Sequence, residues 1–150
     1  MQDKLQKETL TRTKREDKVK NWFAMWLDKS SAGIEEIFAD DVVYTESWGP
    51  RYCGIAAVKE WFAEWSSRCA VRRWNTGRFF HFRDTTIVEW DFACTEADGS
   101  ETAFDGVSVI EWTDDKISTL TEYGCSTDNY NPYADGTGVP VFRLKEHGWF

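Results

Sequence analysis

Residues 85–112 read TTIVEWDFACTEADGSETAFDGVSVIEW, and this stretch decides the fold class. Two runs rich in β-branched and aromatic residues flank Asp98-Gly99, a dipeptide that is typical of β-hairpin turns. A two-residue turn at this point predicts that Asp91 lies opposite Gly106 on the neighbouring strand. The stretch therefore predicts a long antiparallel hairpin with a defined register.

This register divides the hairpin into two faces that both mix apolar and acidic side chains. One face carries Glu89, Asp91 and Ser108, and the other carries Trp90, Phe92, Val107 and Val109. If the acidic row faces the helices, it lines a wet pocket, because carboxylates are not buried without partners. If it faces solvent, it pairs with Arg72, Arg73 or Arg78. The pattern leaves both alternatives open.

Helical patterns precede the hairpin, and further strands flank it. Apolar spacing predicts a first helix over 14–29, started by a capping box at Thr13–Glu16, a short second helix around 34–39, and a third helix after Gly54. The predicted strands are 42–46, 71–82, 86–96, 101–112 and 117–123. Helices followed by hairpins predict an α+β domain in which helices pack on one face of a curved antiparallel sheet.

Composition restricts the class of protein. The chain has 150 residues, which fits one domain, and its formal net charge is −8. Residues 1–20 carry a net charge of +3, so the other 130 residues carry −11. An acidic body repels phosphate backbones, which argues against a nucleic-acid ligand.

No apolar run is long enough to cross a bilayer and no secretory signal starts the chain, so we expect a cytoplasmic protein without a membrane partner.

The cysteines and histidines give no metal motif. The four cysteines (53, 69, 94 and 125) lack any CxxC spacing, and the only histidines are His81 and His147. We therefore expect no metal and no other cofactor.

Six short motifs carry a resemblance to a known superfamily. They are IFADDV at 37–42, YCGIAAV at 52–58, VEW at 88–90, GVSV at 106–109, DKI at 115–117 and TEY at 121–123. In order and spacing over residues 14–124 the sequence resembles the nuclear-transport-factor-2-like superfamily, especially its SnoaL-like and ketosteroid-isomerase-like branches. The resemblance implies one domain over 1–150: a cone-shaped curved antiparallel sheet around three N-terminal helices, with a ligand cavity at its open end. The Gly, Pro, Asn and Asp residues of 125–150 predict an irregular covering segment, which we expect to pack over the cone or a partner subunit through Tyr130, Tyr133, Phe142 and Trp149.

The resemblance also implies site residues. The catalytic aspartate of the isomerases falls on Glu46, their donor tyrosine on Trp22, and their protonated aspartate on Ser108. In limonene-epoxide-hydrolase-like proteins the final-strand aspartate matches Glu122, and a middle-strand aspartate matches Asp91. The resemblance thus implies catalytic carboxyl groups at Glu46, Asp91 and Glu122 within one cavity.

The expected function is binding of a small, largely apolar organic molecule, with acid–base catalysis as its enzymatic form (isomerisation, dehydration, cyclisation or hydrolysis). The alternative is a non-catalytic ligand-binding or dimerising accessory module. The expected ligand-binding residues are Trp22, Trp26, Tyr44, Trp48, Trp74, Glu89 and Ser108, and these aromatic side chains could also hold a cationic ligand. Trp61 and Trp65 are expected in the core. A homodimer through the outer sheet face is expected to cover Trp90, Phe92, Val107 and Val109.

Overall fold

The computed structural model describes residues 1–143, which form two α-helices, a short 3₁₀ turn and one six-stranded sheet. The helical elements are α1 (Gln2–Asp28), the 3₁₀ turn (Ile34–Glu36) and α2 (Ile55–Arg68). The strands are β1 (Phe38–Thr45), β2 (Arg51–Cys53), β3 (Ala70–Phe82), β4 (Thr85–Thr95), β5 (Glu101–Thr113) and β6 (Lys116–Ser126). The predicted α+β class is confirmed.

The sheet has the strand order β2-β1-β6-β5-β4-β3. All neighbouring strands are antiparallel except β1 and β6, which are parallel, so the sheet is mixed and not purely antiparallel as predicted. The parallel pair arises because the chain leaves β1 through β2 and α2, builds the β3–β6 meander, and returns beside β1. The predicted second helix is only the 3₁₀ turn Ile34–Glu36.

Helix α1 begins about twelve residues earlier than predicted, at Gln2, and ends at Asp28. The Thr13 hydroxyl therefore does not cap an N-terminus, and it donates instead to the Thr9 carbonyl oxygen one turn earlier, at 3.1 Å. Lys, Glu, Gln and Leu dominate residues 2–10, and these residue types favour a helix even where no core is available. Among residues 1–143, no helix is both long and apolar enough to span a membrane.

The central hairpin has a different register from the predicted one. Asp91 lies opposite Asp105, one position away from Gly106. The reason is a three-residue turn: the Glu96 N–H donates to the Ser100 carbonyl oxygen at 2.8 Å, and Gly99 adopts a left-handed φ of 84°. A three-residue turn with a left-handed third residue is the next most common hairpin connection after the two-residue type. Because of this shift of one residue, the β5 residues on the same face as Glu89 and Asp91 are Val107 and Asp105, and not Ser108 and Gly106 as predicted.

The inner face of the sheet is consequently apolar and the outer face is charged. Alternate residues of β4 and β5 are buried against the helices: Val88, Trp90, Cys94, Ser108, Ile110 and Trp112. From α1 the core receives Val19, Trp22, Phe23 and Trp26. Gaps in the pairing interrupt β3 at two places, Val71/Arg73 and Thr76/Phe79. Such bulges bend a strand and increase its twist, which lets the sheet curve around the helices.

Residues 127–143 contain no helix or strand, and two of their aromatic side chains are largely exposed to solvent. Tyr133 is 52% exposed and Phe142 is 68% exposed. The predicted contribution of Trp149 lies outside the described residues. That the segment packs over a partner subunit stays a prediction.

Candidate functional site

A cavity of about 530 Å³ opens between α2 and the inner face of the sheet. This volume is in the range of small-molecule sites. Most of its walls are aromatic: Trp26, Trp48, Tyr52, Trp61, Trp65, Trp74, Trp90, Phe92 and Phe104. The ionisable lining residues are Glu46, Glu64, Arg68, Cys94, Glu96 and Glu122. The cavity is therefore an aromatic chamber with a few acidic groups.

Glu46 lies directly after β1 and is held by two donors. Its Oε1 accepts a hydrogen bond of 2.6 Å from the Tyr52 hydroxyl, and its Oε2 accepts one of 3.0 Å from Trp48 Nε1. Partial burial raises the pKa of Glu46, while the two hydrogen bonds and the charge of Arg68 oppose that rise. The result is an oriented carboxylate in a partly dry wall.

Glu122, on β6, is 8% exposed and far more strongly perturbed. Burial raises its pKa to about 8, and the charge of Glu46 acts in the same direction. The Tyr44 hydroxyl donates to Glu122 Oε1, and Trp22 Nε1 donates to the Tyr44 oxygen at 3.4 Å. Burial and the Glu122 charge raise the pKa of Tyr44 well above its ordinary value, so this hydroxyl stays protonated and remains a donor.

The parallel pairing of β1 and β6 brings the two carboxyl groups together. Thr45 pairs with Thr121, so the next residue of each strand, Glu46 and Glu122, lies at the same end of the pair. The Ser47 backbone N–H also donates to the Glu122 carboxyl group. Two adjacent carboxyl groups with different surroundings titrate differently, and at neutral pH the buried one keeps its proton.

The floor of the cavity is shaped by Trp90 on β4. Its Nε1 donates to Ser108 Oγ at 2.9 Å, and its ring lies across Gly106 on the neighbouring strand. A Cβ atom on Gly106 would lie 2.7 Å or less from three carbon atoms of that ring. Glycine is therefore what allows the indole to lie flat against the sheet. Ser108 supports the floor and does not line the cavity.

The prediction that Glu89 and Asp91 face the interior is wrong. Glu89 accepts from Arg78 Nε at 2.7 Å, and Asp91 forms an ion pair with Arg73, both on the outer face. The ion pair with Arg78 lowers the pKa of Glu89. Trp90 and Phe92 take the inner positions of β4, and the shifted register places Asp105 beside Asp91 on the outer face. The solvent-facing alternative, with arginine partners, is the correct one.

Of the residues expected to bind ligand, Trp26, Trp48 and Trp74 line the cavity with Glu46 and Glu122. Trp22, Tyr44 and Ser108 do not line it: each is 0% exposed. Trp22 and Tyr44 instead form the hydrogen-bond chain behind Glu122. The structure thus places three of the expected ligand-binding residues one layer behind the surface that a ligand could touch.

Sequence reasoning missed six of the nine aromatic residues that line the cavity. Trp61 and Trp65 line the cavity although they were expected in the core, and Trp90 and Phe92 line it although they were expected outside. Helix α2 buries Val58 and Phe62 on its core face, and its tryptophans lie on the flank of that stripe. The signal for a ligand-facing surface was that these two large aromatic residues lie beside the buried stripe of α2 and not within it.

The thiol beside the cavity is not a nucleophile. Cys94 Sγ donates to Glu96 Oε1 at 3.4 Å, and burial raises the pKa of Cys94 to about 12. A neutral thiol is a poor nucleophile. Within residues 1–143, no group of three or more His, Cys, Asp or Glu side chains is arranged to hold a metal ion.

Comparisons with known proteins agree with this architecture. Three solved structures cover most of the fold at low identity. A Bacillus subtilis protein with a proposed isomerase activity is 19% identical, with 77% of this chain and 88% of that chain covered and a TM-score of 0.68. An epoxide hydrolase of the LEH-like type from M. tuberculosis is 16% identical, with coverages of 75% and 84% and a TM-score of 0.67. A proposed SnoaL-like polyketide cyclase from Mesorhizobium loti is 20% identical, with coverages of 72% and 97% and a TM-score of 0.59.

No curated protein matches the chain. The model of the SnoaL-like domain family, however, matches residues 19–120, which include α1 from Val19 onward and nearly all of the sheet. This match, which covers more than half of the chain, shows that the chain belongs to the SnoaL-like domain family.

Proposed function

We propose that this protein binds a small, largely apolar organic molecule in the aromatic cavity and transforms it by acid–base catalysis. The observation that carries the proposal is the unequal pair Glu46 and Glu122. One carboxyl group is oriented by two donors and partly accessible, whereas the other is buried and has a pKa raised to about 8. Unequal carboxyl groups in one dry site are a common arrangement for a general base beside a general acid.

In this mechanism Glu46 is the base and Glu122 is the acid. The hydrogen bonds from Tyr52 and Trp48 orient the Glu46 carboxylate for removal of a proton from the ligand or from a water molecule. At neutral pH the Glu122 carboxyl group keeps its proton and can deliver it to an oxygen atom of the ligand, while Tyr44 stabilises the carboxylate that remains. The hydrophobic walls exclude water, which strengthens these electrostatic interactions.

The comparisons support this class of chemistry without fixing the reaction. Isomerisation, epoxide opening and polyketide cyclisation, which are the activities in the names of the three structural neighbours, all require proton transfers to or from carbon or oxygen. Fold similarity at this identity does not transfer a substrate.

The proposal is tested by turnover of a panel of small ketones, enones and epoxides, followed by mass spectrometry. Glu46→Gln and Glu122→Gln are each expected to lower kcat by roughly 100-fold or more, because each removes one proton-transfer group. Activity of the unaltered protein should fall above about pH 8, where Glu122 loses its proton.

The matched control is Glu89→Gln on the outer face, which should leave turnover unchanged because its carboxylate contacts Arg78 and not the cavity. Turnover that survives both inner substitutions would contradict the mechanism. Binding of panel compounds without turnover of any of them would favour the alternative, a non-catalytic ligand carrier.

We also propose that the protein forms a homodimer through the outer sheet face, by a row of residues that includes Val109 but neither Trp90 nor Phe92, which lie inside. Phe80, Ile87 and Val109 are successive cross-strand partners on β3, β4 and β5. Phe80 is 48% exposed and Ile87 is 36% exposed, so this row presents a continuous apolar strip to solvent. Strips of this kind on a sheet commonly mark a protein interface.

Sedimentation velocity at micromolar concentration should give a dimer for the unaltered protein and a monomer for Val109→Glu, because a charge in the strip opposes burial. The control Leu5→Glu changes an exposed apolar residue of α1 away from the sheet and should leave the sedimentation coefficient unchanged. A monomer for the unaltered protein would contradict the proposal.

A further inference from the structure

The charges of the cavity wall do not balance. Four carboxyl groups line the cavity, and within residues 1–143 the only cationic lining residue is Arg68. That guanidinium is already engaged: its Nε donates to Glu64 Oε1 at 2.6 Å. The lining therefore carries three more acidic than basic groups, or two more when Glu122 holds its proton.

The other three lining carboxyl groups accept hydrogen bonds only from donors that are weak or uncharged among the described residues. The Glu96 carboxylate accepts from the thiols of Cys69 and Cys94, at 3.6 and 3.4 Å. Glu46 accepts from a phenol and an indole, and Glu122 from a phenol and a backbone N–H. An anionic ligand would be repelled by this wall, whereas a cation would lower its electrostatic energy.

The tryptophan rings form adjoining walls and not one flat stack. Trp26 meets Trp61 at a centroid distance of 4.7 Å and an angle of 58°, and it meets Trp65 at 5.4 Å and 83°. Trp74 lies next to Trp26, at a centroid distance of 6.1 Å, and meets Trp90 at 5.8 Å and 75°. Rings that enclose a space at steep angles can present π-faces from several directions, which is the arrangement used to bind ammonium groups.

In the described part of the chain, no arginine or lysine side chain makes a cation–π contact with these tryptophan rings. Within residues 1–143, five arginine or lysine side chains lie over aromatic rings, and those rings belong to Phe79, Phe80, Phe82, Trp112 and Tyr130. None of the five lines the cavity. Trp61 and Trp65 are half-buried and Trp48 is 64% exposed, so these three lining rings offer π-surface to a cation that arrives with the ligand.

We propose that the ligand of this cavity carries a cationic nitrogen, as a protonated or quaternary alkylamine, held between the tryptophan walls beside Glu46, Glu96 and Glu122. The inference rests on the proposed function in that it names the substrate class of the same cavity. An apolar body fills the aromatic chamber, and the ammonium group compensates the excess of acidic groups.

The test compares choline with 3,3-dimethylbutan-1-ol, which has the same shape but a neutral carbon in place of the quaternary nitrogen. Calorimetric titration of the unaltered protein should give at least roughly tenfold tighter binding of choline, because a desolvated cation–π contact supplies that difference and the neutral molecule makes none. The preference should decrease with added salt. Equal affinity, stronger binding of the alcohol, or no binding of choline would overturn the proposal.

Two variants test whether choline binds inside this cavity. Glu96→Gln removes one lining carboxylate outside the proposed acid–base pair and should weaken choline severalfold while leaving the alcohol unchanged. Glu101→Gln, exposed on the next strand near the same turn, should change neither affinity. An equal loss of choline affinity in both variants would overturn the assignment to the cavity.

The result of the choline test can be distinguished from the result of the test of catalysis. Preferential choline binding together with unchanged turnover in Glu46→Gln and Glu122→Gln would leave the ligand class standing and remove the acid–base mechanism. Turnover of a neutral substrate with no choline preference would leave the acid–base mechanism standing and remove the proposed ligand class.

Discussion

Replacing Glu122 with glutamine is expected to stabilise the protein at alkaline pH, by as much as about 5 kcal/mol at pH 9. The folded protein raises the pKa of Glu122 from its ordinary value of 4.5 to about 8 because burial disfavours the charged form. Each pKa unit corresponds to roughly 1.4 kcal/mol, so the full difference gives this upper value. Glutamine keeps an oxygen atom that can accept from Tyr44 but carries no charge to desolvate.

The sign of the pH dependence follows from the two pKa values. Below about pH 4.5 the carboxyl group is protonated in both the folded and the unfolded chain, so the two proteins should have similar free energies of unfolding. Between pH 4.5 and 8 the unfolded chain releases the proton and the folded chain keeps it, so the unaltered protein loses stability as pH rises. Above pH 8 the difference becomes constant.

Urea unfolding of both proteins at pH 4.5, 7 and 9 measures this dependence. Glu89→Gln is the control: an exposed ion pair with Arg78 lowers the pKa of Glu89, so this variant should not gain stability with rising pH. A Glu122→Gln variant that is less stable than the unaltered protein at pH 9 would show that the carboxylate is stabilised in the fold, contrary to our interpretation.

Replacing Gly106 with alanine is expected to lower the free energy of unfolding by about 3 kcal/mol. The added methyl group would overlap the ring of Trp90, which is 4% exposed and has no empty space on its other side except the cavity. The indole must therefore leave the sheet and give up its hydrogen bond to Ser108. A displaced indole would also enter the cavity, so ligand affinity should fall together with stability.

Gly124 provides a matched control, because it is the direct cross-strand partner of Gly106 on β6. A Cβ atom at Gly124 would lie 3.3 Å from Ser47 Oγ, a hydroxyl that can rotate, and at an ordinary contact distance of 3.5 Å from Phe104 Cδ2. Gly124→Ala should therefore cost less than about 1 kcal/mol in urea unfolding. Equal stabilities for the two variants would contradict the proposed role of Gly106.

Much of the fold could be predicted because it depends on local patterns. The apolar spacing of α2, the β-rich runs on either side of Asp98-Gly99, and the motifs shared with a known superfamily all act over a few residues. The boundary of α1 was wrong, since a capping-box pattern at Thr13 also fits inside a continuous helix, where Thr13 donates to Thr9.

The site was harder to predict, because the composition of each sheet face depends on the length of one turn. The left-handed Gly99 closes a three-residue turn, and the resulting register places Asp105 on the same face as Glu89 and Asp91, while Trp90 and Phe92 share the opposite, inner face with Phe104. Both turn lengths suit the sequence Ala-Asp-Gly, so the pattern of side chains could not distinguish them.

By itself, the sequence of this protein determined the α+β class, the order of its elements, its acidic character and the presence of carboxyl groups at Glu46 and Glu122. Only the tertiary structure decided that these two groups are adjacent and unequal. Their adjacency comes from the parallel pairing of β1 and β6, strands that lie more than 70 positions apart in the chain. Their inequality comes from burial, which depends on how the whole sheet closes over Tyr44 and Trp22, and no local pattern of residues contains that information.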